Sequence, residues 1–172
     1  MFTQESKERD AIEIPRGEAL DAESAFVLMW LLADECPEIK KHACRGLRAL
    51  SADRDVARDI ARTAEPYVLD CLVACLRAGD ADTRAYAAGA LAGFAAEDVY
   101  FCAEFGRRRG VCAALRRMGG GVDAARCLHV LSVSHGRQIV RARCLPVLAE
   151  MLNDESTRLY AIAAIQNICR TH

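Results

Sequence analysis

Apolar and small residues recur along the chain at i, i+3, i+4 and i+7, the stripe of an amphipathic helix, in four blocks that align without gaps. The blocks run from His42 to Ser51, Tyr86 to Ala95, Asp123 to Ser132 and Tyr160 to Cys169. Their second column is always alanine (Ala43, Ala87, Ala124, Ala161), with successive alanines 44, 37 and 37 residues apart. The fifth column is small (Gly46, Ala90, Cys127, Ala164), the sixth is Leu47, Leu91, Leu128 and Ile165, and the ninth is Leu50, Phe94, Leu131 and Ile168. Small residues on such a stripe let neighbouring helices approach closely, and the larger ones fill the space between units. A period of this size is the mark of a stacked array.

Three of the blocks are preceded by shorter helical segments. Medium helices are predicted at Pro66–Leu72, Val111–Met118 and Leu145–Leu152, two of them with proline near the start, where the missing N–H costs nothing. Short polar helices are predicted before those, at Arg54–Ala61, Val99–Phe105 and Gly136–Ala142. Breaks are expected at Gly79-Asp80, Gly119-Gly120-Gly121 and Asn153-Asp154, which are turn and capping residues. The unit is therefore a short, a medium and a longer helix.

Arg137-Gln138-Ile139-Val140, Leu145-Pro146-Val147-Leu148 and Tyr160-Ala161 through Ala164-Ile165-Gln166-Asn167-Ile168 together resemble an armadillo repeat, and Asp82 to Leu91 resembles its third helix. The resemblance covers about residues 22–172; a two-helix HEAT-like array and an alanine-rich bundle are the alternatives. It implies an all-α, right-handed α-α superhelix of about 3.5 three-helix repeats, at roughly 22–52, 53–97, 98–135 and 136–172. An acidic, partly disordered segment, 1–21, is expected before it. The resemblance also implies a groove lined by the third helices. In the importin-alpha type, that groove carries a tryptophan column and an asparagine column. Here these read Arg45, Gly89, Arg126, Ala163 and Ala49, Gly93, Val130, Asn167, so only Asn167 matches, and Trp30 lies elsewhere. Carriage of nuclear signals is not implied. The groove instead offers Arg45, Arg48, Arg126, His129, Gln166, Asn167 and Arg170, with Gly89 and Gly93 expected to leave a bare patch between them. A basic groove of this kind suits an acidic extended peptide or helix, somewhat as in the beta-catenin type.

Composition narrows the class further. The chain holds 31 alanines, and aromatics make up only 6%, which favours helix over a sheet-rich fold. Its 52% apolar content with net charge −1 argues against disorder. The longest apolar run, Ala25–Ala33, is nine residues, about half of what spans a bilayer, and no leader is visible before it. Nine cysteines without a CxxC pair point to reduced thiols in cytoplasm or nucleus. Cys71 and Cys75 share a helix face, but no second pair completes a metal site. Gly119-Gly120-Gly121 lacks the ending of a phosphate loop, and neither Cys127 with His129 nor Ser132 and Ser134 beside His135 has catalytic spacing or context. No enzyme, cofactor or metal is expected.

The near-neutral charge is a cancellation. Residues 1–38 hold ten acids against three bases, whereas residues 105–148 hold nine arginines against one acid, Asp123. Of the chain's 23 basic residues 20 are arginine, the side chain suited to bidentate contacts with carboxylate or phosphate. Arg107, Arg108, Arg109, Arg116, Arg117, Arg137, Arg141 and Arg143 form an expected basic patch. The leading reading is a non-catalytic module or scaffold that binds an acidic segment of a partner protein in the groove. The acidic stretch Glu5–Glu23 is itself a candidate occupant, in cis or in a second copy. Two alternatives stand beside it. One is a structural subunit that self-associates or joins a larger complex through the apolar ends, Phe26–Leu32 and Ile162–Cys169. The other is RNA or DNA backbone binding through the arginine patch, disfavoured by net charge, scarce lysine and few aromatics.

Overall fold

Ten α-helices and no strand account for the described residues, 22–63 and 66–170 of a computed structural model. The acidic segment 1–21, and any seat it takes in the groove, lies outside them. The helices are α1 (Ala22–Leu31), α2 (Pro37–Leu50), α3 (Arg54–Thr63), α4 (Pro66–Ala78), α5 (Ala81–Glu97), α6 (Val99–Arg107), α7 (Val111–Met118), α8 (Val122–Arg141), α9 (Leu145–Met151) and α10 (Glu155–Arg170). The four aligned blocks fall in α2, α5, α8 and α10, which pack in that order, α2 on α5, α5 on α8 and α8 on α10. The alanine column explains why they can. Ala43, Ala87, Ala124 and Ala161 are all completely buried, and a methyl group at that column keeps the buried helix surface low.

Local chemistry sets the helix ends. The Asp80 carboxylate accepts the Thr83 N–H at 2.7 Å to start α5, and Asp98 accepts the Phe101 N–H at 2.7 Å to start α6. Each such cap contributes about 1 kcal/mol by satisfying a donor that the helix cannot. The larger columns then fill the core between layers. Leu47, Leu91, Leu128, Phe94 and Leu131 are fully buried, and Phe94 meets Phe101 edge-on with ring centroids 5.9 Å apart. Residue size also matters at the first layer: a Cβ on Gly46 would lie 2.6 Å from Leu28 Cδ1, so the Leu28 side chain of α1 packs directly on the α2 backbone.

One predicted boundary is made by a kink rather than a turn. The sequence predicts a separate short helix at Gly136–Ala142, and the non-helical backbone of His135 (φ −123°, ψ 25°) divides α8 there into two helical segments, the second running to Arg141. The reason lies in the neighbouring layer. The His135 ring rests on Gly106, where a Cβ would lie 2.5 Å from it, so the break sits at a packing contact with α6 rather than at a turn sequence.

Candidate functional site: the third-helix face and the arginine cluster

On the face made by α2, α5 and α8, the dominant side chain is Arg48. Its Nη2 lies 3.1 Å from Asp123 Oδ2, with Nη2 and Nε also 3.3 and 3.4 Å from Oδ1. On the way its guanidinium passes over Tyr86, 5.9 Å from the ring centroid. Gly89 makes that path possible, because a Cβ there would fall 2.6–2.8 Å from Nε, Cδ and Cγ of Arg48. Gly93 performs the same service for Ser51, whose Cβ and Oγ would be 2.5 and 2.6 Å from an added Cβ. The Ser51 hydroxyl donates to the Arg48 carbonyl at 2.8 Å, and the Cys127 thiol donates to the Ala88 carbonyl at 3.0 Å. Further along, Asn167 Nδ2 donates to Ser132 Oγ at 3.0 Å, and the His129 and Tyr160 rings meet at 6.1 Å. Burial holds the His129 imidazole below its ordinary pKa.

The nine expected groove residues therefore divide. Gly89 and Gly93 are buried, and the bare patch predicted between them is occupied by Arg48 and Ser51. Arg48, His129 and Asn167 are engaged inside the molecule. Arg45, Gln166 and Arg170 are exposed and Arg126 is half-buried, and none of the three arginines has a carboxylate partner among the described residues. Sequence reasoning missed Asp123 and Tyr86. The signal was present, since Asp123 is the one acid in the arginine-rich stretch and shares the first column of its block with Tyr86.

The arginine patch is split as well. Arg107, Arg108, Arg109 and Arg141 surround a cavity of about 350 Å³ beside the first turn of α7. Arg107 pairs with Glu104, and Arg108 with Asp70 at 2.7 Å and Glu104 at 3.1 Å. Arg109 and Arg141 have no carboxylate partner among the described residues. Arg116, Arg117, Arg137 and Arg143 do not line the cavity. The arginine field is felt nearby: burial first, and Arg107 second, hold the His135 imidazole below its ordinary pKa.

The cysteines carry no disulfide among the described residues, and six of the nine are buried. Burial pushes the Cys112 thiol up to about 12. No described helix is long and apolar enough to cross a membrane.

No family model and no curated protein matches the chain. Solved structures do. The chain is similar to an engineered protein of the Northeast Structural Genomics Consortium, target OR329 (TM-score 0.70, 23% identity over 86% of this chain and 63% of that one). It is similar to a second engineered protein, target OR497 (TM-score 0.69, 25% identity, 85% of this chain and 38% of that one). It is also similar to the designed armadillo repeat protein YIII(Dq)4CqI (TM-score 0.69, 17% identity, 84% of this chain and 64% of that one). The chain thus spans less than two thirds of the length of each. Its fold is an armadillo-like helical-repeat solenoid, and all three likenesses are to engineered proteins.

Proposed function

We propose that the chain is a non-catalytic protein-interaction module that takes an acidic, extended segment of a partner across its third helices. The observation that supports this reading is the set of arginines left over once the internal contacts are made: Arg45, Arg126 and Arg170 have no carboxylate partner among the described residues. Arg48, Tyr86 and Asp123 act as a prearranged floor rather than as ligands. Fixing that floor before binding reduces the ordering cost a partner has to meet. A fluorescein-labelled peptide of residues 5–23 is a suitable first probe, because it is acidic and belongs to the chain. A truncated chain lacking residues 1–20 should bind it, and Arg45→Glu/Arg126→Glu should weaken binding by at least about tenfold, given that each charge-assisted hydrogen bond contributes roughly 1.5–3 kcal/mol. Equal binding by the double variant would remove the groove from the function.

A second reading rests on a separate observation. On α1, Phe26, Val27 and Trp30 are 68%, 61% and 82% exposed, and on α10 Leu159 is 77% exposed. Exposed apolar faces on these helices suit self-association or docking into a larger assembly. Light scattering across a hundredfold concentration range tests the first of these, and a constant monomer mass would reject it.

A further inference from the structure

We propose that the arginine-lined cavity beside α7 is a recognition site for a phosphate monoester, specifically a phosphorylated side chain of a protein partner. It is separate from the third-helix face and does not depend on what that face binds.

The charge balance defines the ligand. Four arginines, Arg107, Arg108, Arg109 and Arg141, are among the residues that line the space. Glu104 and Asp70 offset two of those charges through Arg107 and Arg108. Two positive charges remain uncompensated at one place. A phosphate monoester carries close to two negative charges at neutral pH, whereas a carboxylate or a phosphodiester carries one. Its three acceptor oxygens also suit several forked donors arriving together. The site has fixed donors too. Gly110 (φ 82°) begins α7 and supplies no side-chain cap, so the first-turn N–H groups at the rim have no side-chain acceptor. Those groups add to the positive field at the cavity.

Shape separates a phosphorylated side chain from nucleic acid. The cavity has no aromatic residue in its lining for a base to stack on, its polar amide coming from Gln138. Arg116, Arg117, Arg137 and Arg143 are not among the residues that line it. Arg116 and Arg117 sit in the last turn of the eight-residue α7, about 6 Å along the axis from the first turn that borders the cavity. The arrangement is a point receptor for one dianionic group.

Chemical-shift mapping on the full chain tests this with N-acetyl-O-phosphoserine methylamide as the probe. The expected result is perturbation of the Gly110–Ala113 amides and of the Arg109 and Arg141 side-chain N–H signals, with none from the unphosphorylated compound. Arg109→Gln/Arg141→Gln should weaken binding at least about tenfold while leaving thermal unfolding unchanged, since neither side chain has a carboxylate partner among the described residues. Arg45→Glu/Arg126→Glu should leave it unaltered, which separates failure of this site from failure of the groove. The proposal is overturned if acetate perturbs the same signals at the same concentration, or if inorganic phosphate binds more tightly than the phosphoserine compound. Preferential binding of a uridine 12-mer, with shifts spread over Arg116, Arg117, Arg137 and Arg143, would overturn it in favour of nucleic acid.

Discussion

Gly89 and Gly93 are alike in sequence, four residues apart on α5, yet they meet different kinds of neighbour. An added Cβ at Gly93 would lie 2.8 Å from the Ser51 carbonyl oxygen as well as 2.5 Å from its Cβ. Those atoms belong to the backbone end of α2, so they yield only if α2 and α5 part. At Gly89 the neighbours are Nε, Cδ and Cγ of Arg48, a side chain that can swing outward at the expense of its contact with Asp123. Alanine contributes about 1 kcal/mol of helix propensity at either site, against an overpacking cost of roughly 1–3 kcal/mol. Gly93→Ala should therefore lower the urea midpoint clearly, and Gly89→Ala much less. Equal midpoints would mean that Arg48 is held as rigidly as backbone. This difference marks the limit of sequence reading at the residue scale. The alanine columns were legible because their spacing alone says that they face another helix. The glycines read as open surface in the sequence because the side chains that cover them come from a block 44 residues earlier, and nothing local records that crossing.

Helix α8 shows what an element takes from its surroundings. Gly79-Asp80 and Asn153-Asp154 ended helices where the sequence placed breaks, because each carries its own turn or cap. The boundary before Gly136 has no such turn; the non-helical backbone of His135, whose ring packs on Gly106, divides α8 there. That bend has a pH consequence. His135 and His129 both lie on α8 with imidazoles held below the ordinary value, His129 by burial and His135 by burial and then Arg107. In the unfolded chain each would titrate near about 6.5. Between the folded and unfolded values the unfolded state binds more protons, so stability rises with pH there. The contribution is complete above about 6.5 and is lost as pH falls through the lower, folded values. Urea midpoints should therefore drop between pH 7.5 and 5.5. His129→Gln/His135→Gln should flatten that decline, and an unchanged slope would assign the loss to other groups.

Across the whole molecule, the contact between Arg48 and Asp123 breaks the usual accounting for solenoids. Stacked repeats touch only their nearest neighbours, so stability is a sum of units and adjacent interfaces, and ends can open alone. Here Arg48 leaves α2, crosses α5 over Gly89 and reaches the first turn of α8, linking layers that are not adjacent in the stack. The Asp123 side chain is only 11% exposed, whereas that of Arg48 is 43% exposed. Loss of the arginine therefore strands a largely buried carboxylate, although solvent at the arginine end keeps the cost below the 3–5 kcal/mol of a fully buried pair, at about 1–2 kcal/mol. The cost should not fall evenly. Without the strap, α1 and α2 keep only their interfaces with the next layer, while α8 to α10 retain theirs. In native-state hydrogen exchange the parent chain should show α2 and α8 opening together at the global free energy. Arg48→Met should lower the protection of α2 by about 1–2 kcal/mol relative to α10, and the urea transition should broaden. If α2 and α10 lose protection equally, the pair contributes ordinary stability and the stack is cooperative through its apolar core alone. If they separate, one arginine passing over one glycine is what makes so short an array unfold as a unit.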